Sequence, residues 1–185
     1  MKINIFFSCF FCLILFSCQS KNNVRTYQLA KTSINEKIIE EKQQVEKSKE
    51  LIWIKPESWS KSEGSSMRLV SFSVPYSEGM GDLSVIKLSG TGGGIESNIN
   101  RWRRQLGLSP LGIEEINQSI IIIEGNLGRY SMIAIRNEDD GLAFLCAILP
   151  LVNSTLFVKL SLSSIGIKDV KTDFINFCSS LDIPN

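Results

Sequence analysis

Gly90-Thr91-Gly92-Gly93-Gly94 is the densest glycine cluster in the chain, and it runs straight into a stretch carrying Asn98, Arg101, Arg103 and Arg104. Glycines at a helix start let a ligand come close to free backbone N–H groups, and such groups hold phosphate or carboxylate. Arginines further along the helix add charge of the right sign. Gly92, Gly93, Gly94, Asn98, Arg101 and Arg103 are therefore the candidate ligand- or partner-binding residues. The spacing is not Gly-x-Gly-x-x-Gly and no Lys-Ser/Thr follows, so the usual nucleotide loops are not indicated. The same glycines also serve any tight reversal that packs a helix onto a sheet, and that structural use is the preferred reading. For the arginines, a solvated helix face is preferred over a docking patch for an acidic partner or lipid headgroup.

Other chemistries are thinly provided for. The 185 residues include no histidine, which removes Ser-His-Asp and Cys-His catalysis and every histidine-containing metal or haem site. Cys146 lies in the apolar run Leu142–Leu149, and Cys178 shares a helical stripe with Phe174 and Leu181. Both read as small buried residues before they read as a disulfide. Cys9 and Cys12 fall in an expected signal peptide, and Cys18 is expected to carry lipid. The two remaining of the five cysteines are too few for a four-cysteine metal site, so no metal and no cofactor are expected. Trp53 and Trp59 flank Pro56 and suit the edge of a core better than a stacking platform. Glu114-Glu115 and Asp139-Asp140 read as solvated charges unless folding brings a lone acid beside them. No catalytic residue is assigned, and the chain is expected not to be an enzyme.

Cys18 has a different chemistry. Lys2 precedes an apolar run from Ile3 to Phe16, which ends Leu15-Phe16-Ser17-Cys18. That is a secretory signal pattern too short to span a bilayer. Its ending resembles the bacterial lipobox, in which the cysteine is acylated and becomes the first mature residue. Cys18 is thus the expected lipidation site, and lipid on it is the expected attachment to membrane. Gln19 stands where an aspartate would favour the inner membrane, so a cell with two membranes would carry the protein on its outer one. Removal of Lys2 with the signal leaves 19 basic against 19 acidic residues. A neutral balance offers no footprint for nucleic acid.

The chain divides into a lipoprotein signal peptide (1–17), a lipidated N-terminus and polar tether (18–50), and a folded domain (51–185). The tether is rich in Lys, Glu, Gln, Asn and Ser, and it cannot bury enough apolar surface to offset its ordering entropy. Ser33-Ile34-Asn35-Glu36 has capping-box spacing for a solvated helix over 34–50. In the domain, alternation predicts strands over Met67–Val74, Leu83–Leu88, Ile120–Glu124, Arg129–Arg136, Leu142–Leu149 and Leu156–Leu162. A turn is expected over Gly79–Asp82, with reversals at Gly125-Asn126 and Asp140-Gly141. Ile95, Ile99, Trp102 and Leu106 predict an amphipathic helix over residues 95–107, and Val170, Phe174, Phe177 and Leu181 a second one. Six sequential strands joined by short turns, with helices between them, make an α+β fold with an antiparallel sheet.

The order of elements over residues 51–183 resembles the PsbP-like fold. The opening Trp53-Ile54-Lys55-Pro56-Glu57-Ser58-Trp59, the strand end Phe72-Ser73-Val74-Pro75, and the last hairpin leading into a helix carry that resemblance. Within it, Ser66-Met67-Arg68, Gly92-Gly93 and Asn98-Ile99-Asn100-Arg101-Trp102-Arg103 are similar to a group of bacterial lipoproteins without an established activity. The resemblance implies binding or assembly rather than catalysis, by analogy of fold. The expected function is that of a membrane-anchored lipoprotein of the cell envelope that binds an as yet unidentified envelope protein. The alternative is a binder of small anions at the Gly90–Gly94 turn and helix 95–107.

Overall fold

The structure, a computed structural model, describes residues 50–184. The expected signal peptide, Cys18 and all but the last residue of the tether lie outside the described residues. Seven strands form one antiparallel sheet: β1 Ser60–Lys61, β2 Val70–Tyr76, β3 Gly79–Ser89, β4 Ile121–Gly125, β5 Gly128–Asn137, β6 Leu142–Pro150 and β7 Ser154–Ser163. Their order across the sheet is β1-β2-β3-β7-β6-β5-β4. Three helices accompany it: α1 Ile95–Gln105, α2 Ile113–Ser119 and α3 Ile167–Ser180. The expected α+β architecture is observed, with a seventh strand of two residues added at one edge.

The order contains one long jump. The chain leaves β3, crosses to the far edge to make β4, and returns through β5 and β6 so that β7 closes against β3. Residues 90–120, which hold α1 and α2, are that crossing. They lie over β5, β6 and β7 on one face, while α3 packs on the other.

Side chains opposite one another in register point to the same face, so rows across the sheet show what each face is made of. Towards α3 one row reads Val70, Val85, Val158, Ala147, Met132. The next reads Phe72, Leu83, Leu160, Leu145, Ala134. Every member is apolar, and α3 covers them with Val170, Phe174, Phe177 and Cys178, with Leu181 just beyond its end. Trp59 joins this core and meets Phe177 at 5.3 Å between ring centroids. Full burial of each large side chain contributes about 1.5–3 kcal/mol.

Towards α1 the intervening row reads Ser71, Ser84, Lys159, Cys146, Ile133. It is polar beneath β2, β3 and β7 and apolar beneath β6 and β5. Helix α1 settles on the apolar half, burying Ile99, Trp102 and Leu106 against Phe144, Cys146, Ile148 and Phe157. Glu96 in its first turn and Arg103 and Arg104 in its last suit the helix dipole. Gly107, at φ 72, ends it: its N–H reaches Arg104 O at 3.0 Å, and Leu108 N–H reaches Arg103 O at 2.9 Å. This Schellman closure stops the helix two residues short of the expected 107.

Two local expectations are corrected. Gly79–Asp82 is strand, since Tyr76 pairs with Gly79 and Ser73 with Asp82. The reversal is made by Ser77 and Glu78 alone. Gly81 is glycine because a Cβ there would stand 2.7 Å from the Leu160 side chain. The short helix α2 was not expected beyond the acidic pair at its start.

Candidate functional site

Gly90, Gly92, Gly93 and Gly94 all have positive φ, between 58° and 94°, a region that L side chains occupy at a cost of roughly 1–2 kcal/mol per residue. A Cβ on Gly92 would also meet the Phe157 ring at 2.6 Å. The glycines thus let the chain reverse tightly over Phe157 and enter α1. Asn98 is 2% exposed, and its amide donates to Gly92 O at 2.9 Å and Gly94 O at 2.6 Å. Both amide protons are spent holding the turn closed. A shallow cavity of about 630 Å³ lies at the helix start, with Gly93, Gly94, Asn100 and Arg104 in its lining together with the carboxylate-bearing Glu96. Of the arginines, Arg104 reaches this place, whereas Arg101 and Arg103 do not line it.

The run Asn98–Arg103 can be followed one side chain at a time. Asn98 locks the loop before the helix. Asn100 clamps the loop after it, donating to Leu111 O at 2.9 Å and accepting from Leu111 N–H at 2.8 Å. Arg103 Nε donates to Ser109 O at 2.7 Å, tying down the same loop. Ile99 and Trp102 are core. Arg101 is left without a hydrogen-bond or ion-pair partner among the described residues. It lines a cavity of about 300 Å³ together with Trp102, Gln105, Phe157 and Lys159.

Lys159 is the residue that sequence reasoning passed over. In the alternating strand Leu156–Leu162 it falls among the polar members, which reads as solvent-facing. It does face away from the α3 core, but α1 lies over that side. Its Nζ donates to Gln105 Oε1 at 3.0 Å and sits 4.5 Å from the centre of the Phe144 ring. Burial holds the ammonium below its ordinary pKa, and the Arg68 and Arg101 charges push the same way, while Cys146 and Asp82 oppose. Asp82 is already bound by Arg68 through two contacts of 2.9 Å.

The other candidates are structural. Trp53 meets Phe72 edge-on at 5.9 Å, so both tryptophans close the core. Glu115 Oε2 accepts the Gly112 N–H at 3.0 Å at the start of α2. Asn137 and Asp140 bind each other within the β5–β6 turn. Cys146 and Cys178 are free thiols buried in the two cores on opposite sides of the sheet, and burial raises the pKa of each. Among the described residues no three acidic, cysteine or histidine side chains converge as metal ligands would.

The two edges of the sheet differ. β1 is two residues, Ser60 and Lys61, a short and charged edge of the kind that resists pairing. β4 carries Ile121-Ile122-Ile123, with Ile122 58% exposed, and no described strand pairs with its outer side. Beside it lies a largely apolar trough of about 390 Å³, whose lining includes Ile95, Ile122, Ile148, Val152 and Arg129.

No protein-family model and no curated protein matches the chain. Among solved structures, it is similar to a protein of Bacteroides thetaiotaomicron VPI-5482, with 12% identity and TM-score 0.44 over 74% of this chain. The match spans 46% of that protein, a little under half its length. It is also similar to the cyanobacterial PsbP (CyanoP) of Synechocystis sp. PCC 6803, with 15% identity and TM-score 0.49 over 75% of this chain and 89% of that one. At TM-scores below 0.5 nothing about ligand, partner or activity passes from either protein to this chain.

Proposed function

We propose that this chain is a lipoprotein of the bacterial cell envelope, anchored through Cys18, whose domain binds a protein partner without catalysis. The observation that supports a binding role is the β4 edge. Proteins usually blunt a free edge with charge, proline or brevity, as β1 does here. An edge of three consecutive isoleucines beside an apolar trough suits an added strand. Main-chain hydrogen bonds would supply affinity, and an apolar side chain of the incoming strand would fill the trough beside Ile122. Among the described residues no helix is long and apolar enough to cross a membrane, so in this reading the acyl chains on Cys18 hold the protein in place.

A photo-crosslinking residue placed at 122 and, separately, at 61 compares the two edges in intact cells. A discrete adduct from position 122, absent from position 61 and lost in Ile121→Lys, is the expected result. Equal labelling from both edges, or none from 122, overturns the edge as the docking site. The anchor is tested separately by Cys18→Ser, which is expected to abolish palmitate labelling and membrane partition.

A further inference from the structure

We infer that the cavity between α1 and strands β3 and β7 is a binding site for a small amphipathic carboxylate, with Arg101 and Lys159 holding the charged end. This site is separate from the β4 edge and does not depend on it. The first ground is unbalanced charge. Arg101 and Lys159 line one cavity of about 300 Å³, yet the ion pairs among the described residues are Arg68 with Asp82 and Arg129 with Glu124. Neither cation of the cavity has a carboxylate. The carboxylate whose charge reaches Lys159, that of Asp82, is held on both oxygens by Arg68. Two positive side chains line one half-covered place, with Lys159 partly desolvated, so an anion seated there would be attracted by both.

The second ground is the residue accounting within Asn98–Arg103, where Asn98, Ile99, Asn100, Trp102 and Arg103 each have an evident structural task and Arg101 has none. The third is the rest of the lining. Ile86, Trp102 and Phe157 form apolar walls, while Ser84 and Gln105 sit beside the cations. A cavity apolar over most of its wall with a few convergent polar groups is the usual form of a small-ligand site. Bare phosphate would leave those walls facing water or a hydrated ion. A carboxylate presents two oxygens in the plane an arginine fork matches, and an apolar body covers the walls. At roughly 30 Å³ per water-sized group, the space takes about ten non-hydrogen atoms.

The test uses the purified full chain with 3-phenylpropanoate, 3-phenylpropan-1-ol and inorganic phosphate as probes. Trp102 fluorescence reports on the cavity, because Trp53 and Trp59 lie in the opposite core. Saturable quenching or shift by the carboxylate is expected, at least tenfold weaker for the alcohol and absent with phosphate. Arg101→Gln, at an exposed position, and Lys159→Met should each weaken carboxylate binding at least tenfold, while Arg104→Ala leaves it unchanged. Because Arg101→Gln removes no core atom, it keeps the test decisive even if Lys159→Met folds poorly. No saturable response to the carboxylate, an equal response to the alcohol, or undiminished binding in Arg101→Gln overturns the inference. Saturable binding of phosphate alone overturns the ligand class.

Discussion

The two faces of the sheet are made from the same strands and are finished differently. Beneath α3 the rows are apolar from β2 to β5, and the helix lays four large or compact apolar residues across them. Beneath α1 the row runs from Ser71 and Ser84 through Lys159 to Cys146 and Ile133, and the helix covers the apolar half. The first face is closed by its own chain. The second stops at a boundary between dry and wet sheet, and the unassigned cations stand on that boundary. A helix packed over a uniform apolar surface stabilises the fold. A helix that covers such a surface only in part also makes a rim, and a rim is where a site can form.

The contrast is broken most directly by cutting one aromatic from each face. Phe177→Ala removes a ring that touches both Trp59 and Phe72 in a fully enclosed core. It should cost about 4–5 kcal/mol, near the top of the range for such deletions. Trp102→Ala removes a larger ring, 3% exposed and edge-on to Phe157 at 6.3 Å. The void it leaves opens onto the cavity and can fill with water, so the expected cost is nearer about 3 kcal/mol. Denaturant midpoints and slopes of the two variants measure this. A Trp102→Ala loss equal to or greater than that of Phe177→Ala would mean that the faces are closed alike.

Titration sharpens the comparison, because each face hides one ionisable group besides its buried cysteine, and these two, Tyr130 and Lys159, act with opposite sign. Tyr130, in the α3 core, shares a hydrogen bond of 2.9 Å with Ser179 Oγ. Burial pushes its pKa up from 10.0 to about 12, against the Ser179 bond and with a small addition from Cys178. The unfolded chain releases this proton first, so the contribution is intact below pH 10 and is lost as pH rises towards 12. The loss is on the order of 2 kcal/mol, and Tyr130→Phe should flatten that part of the stability profile. Lys159 is the reverse case: its folded pKa lies below 10.5, so its penalty fades as pH rises towards that value. Urea unfolding of wild type and Tyr130→Phe from pH 8 to 12 separates the two slopes.

The smallest expected effects belong to the rim between α1 and β7. Lys159→Met exchanges a half-covered cation for an apolar chain of like length above Phe144, and should raise the unfolding midpoint by an amount worth up to about 1 kcal/mol. Arg104→Ala should stay within roughly ±0.5 kcal/mol, as exposed positions do. A destabilised Lys159→Met would show that the Gln105 and Phe144 contacts hold the fold more than they hold a charge ready.

Much of the fold was readable from pattern. The stripe of Ile95, Ile99, Trp102 and Leu106 and that of Val170, Phe174, Phe177 and Leu181 both face cores, and six strands fall close to where alternation puts them. What failed has physical reasons. α2 buries a single side chain, Ile116, in seven residues, too few for a period to show. β1 exists only through its partners, Ser60 with Ser73 and Lys61 with Phe72. Gly81 looked like a turn because a residue that makes room for Leu160 has the same letter as one that bends the chain. The glycine turn is held by the amide of Asn98, a bond that glycine spacing alone does not announce. Arg101 was picked out by type, but its neighbour Lys159 lies 58 positions away and is joined to it only by register and by the way α1 crosses the sheet. Alternation separates two sides of a strand. It does not say which side is wet.

One small feature near the ends governs how the domain answers to force. Ile52 and Asp182 exchange two backbone hydrogen bonds of 2.9 and 3.0 Å, and Ser180 Oγ both accepts from Ile54 N–H and donates to Ile54 O. The segment that enters the domain is thus fastened to the segment that leaves α3. Tension applied through residues before Leu51 first meets this clasp, whose bonds sit close together beside the end of a helix. Short antiparallel contacts of this kind open one after another when pulled from one end. Pulling on the entering segment would therefore load these few bonds at the end of α3 before it loads the strands of the sheet.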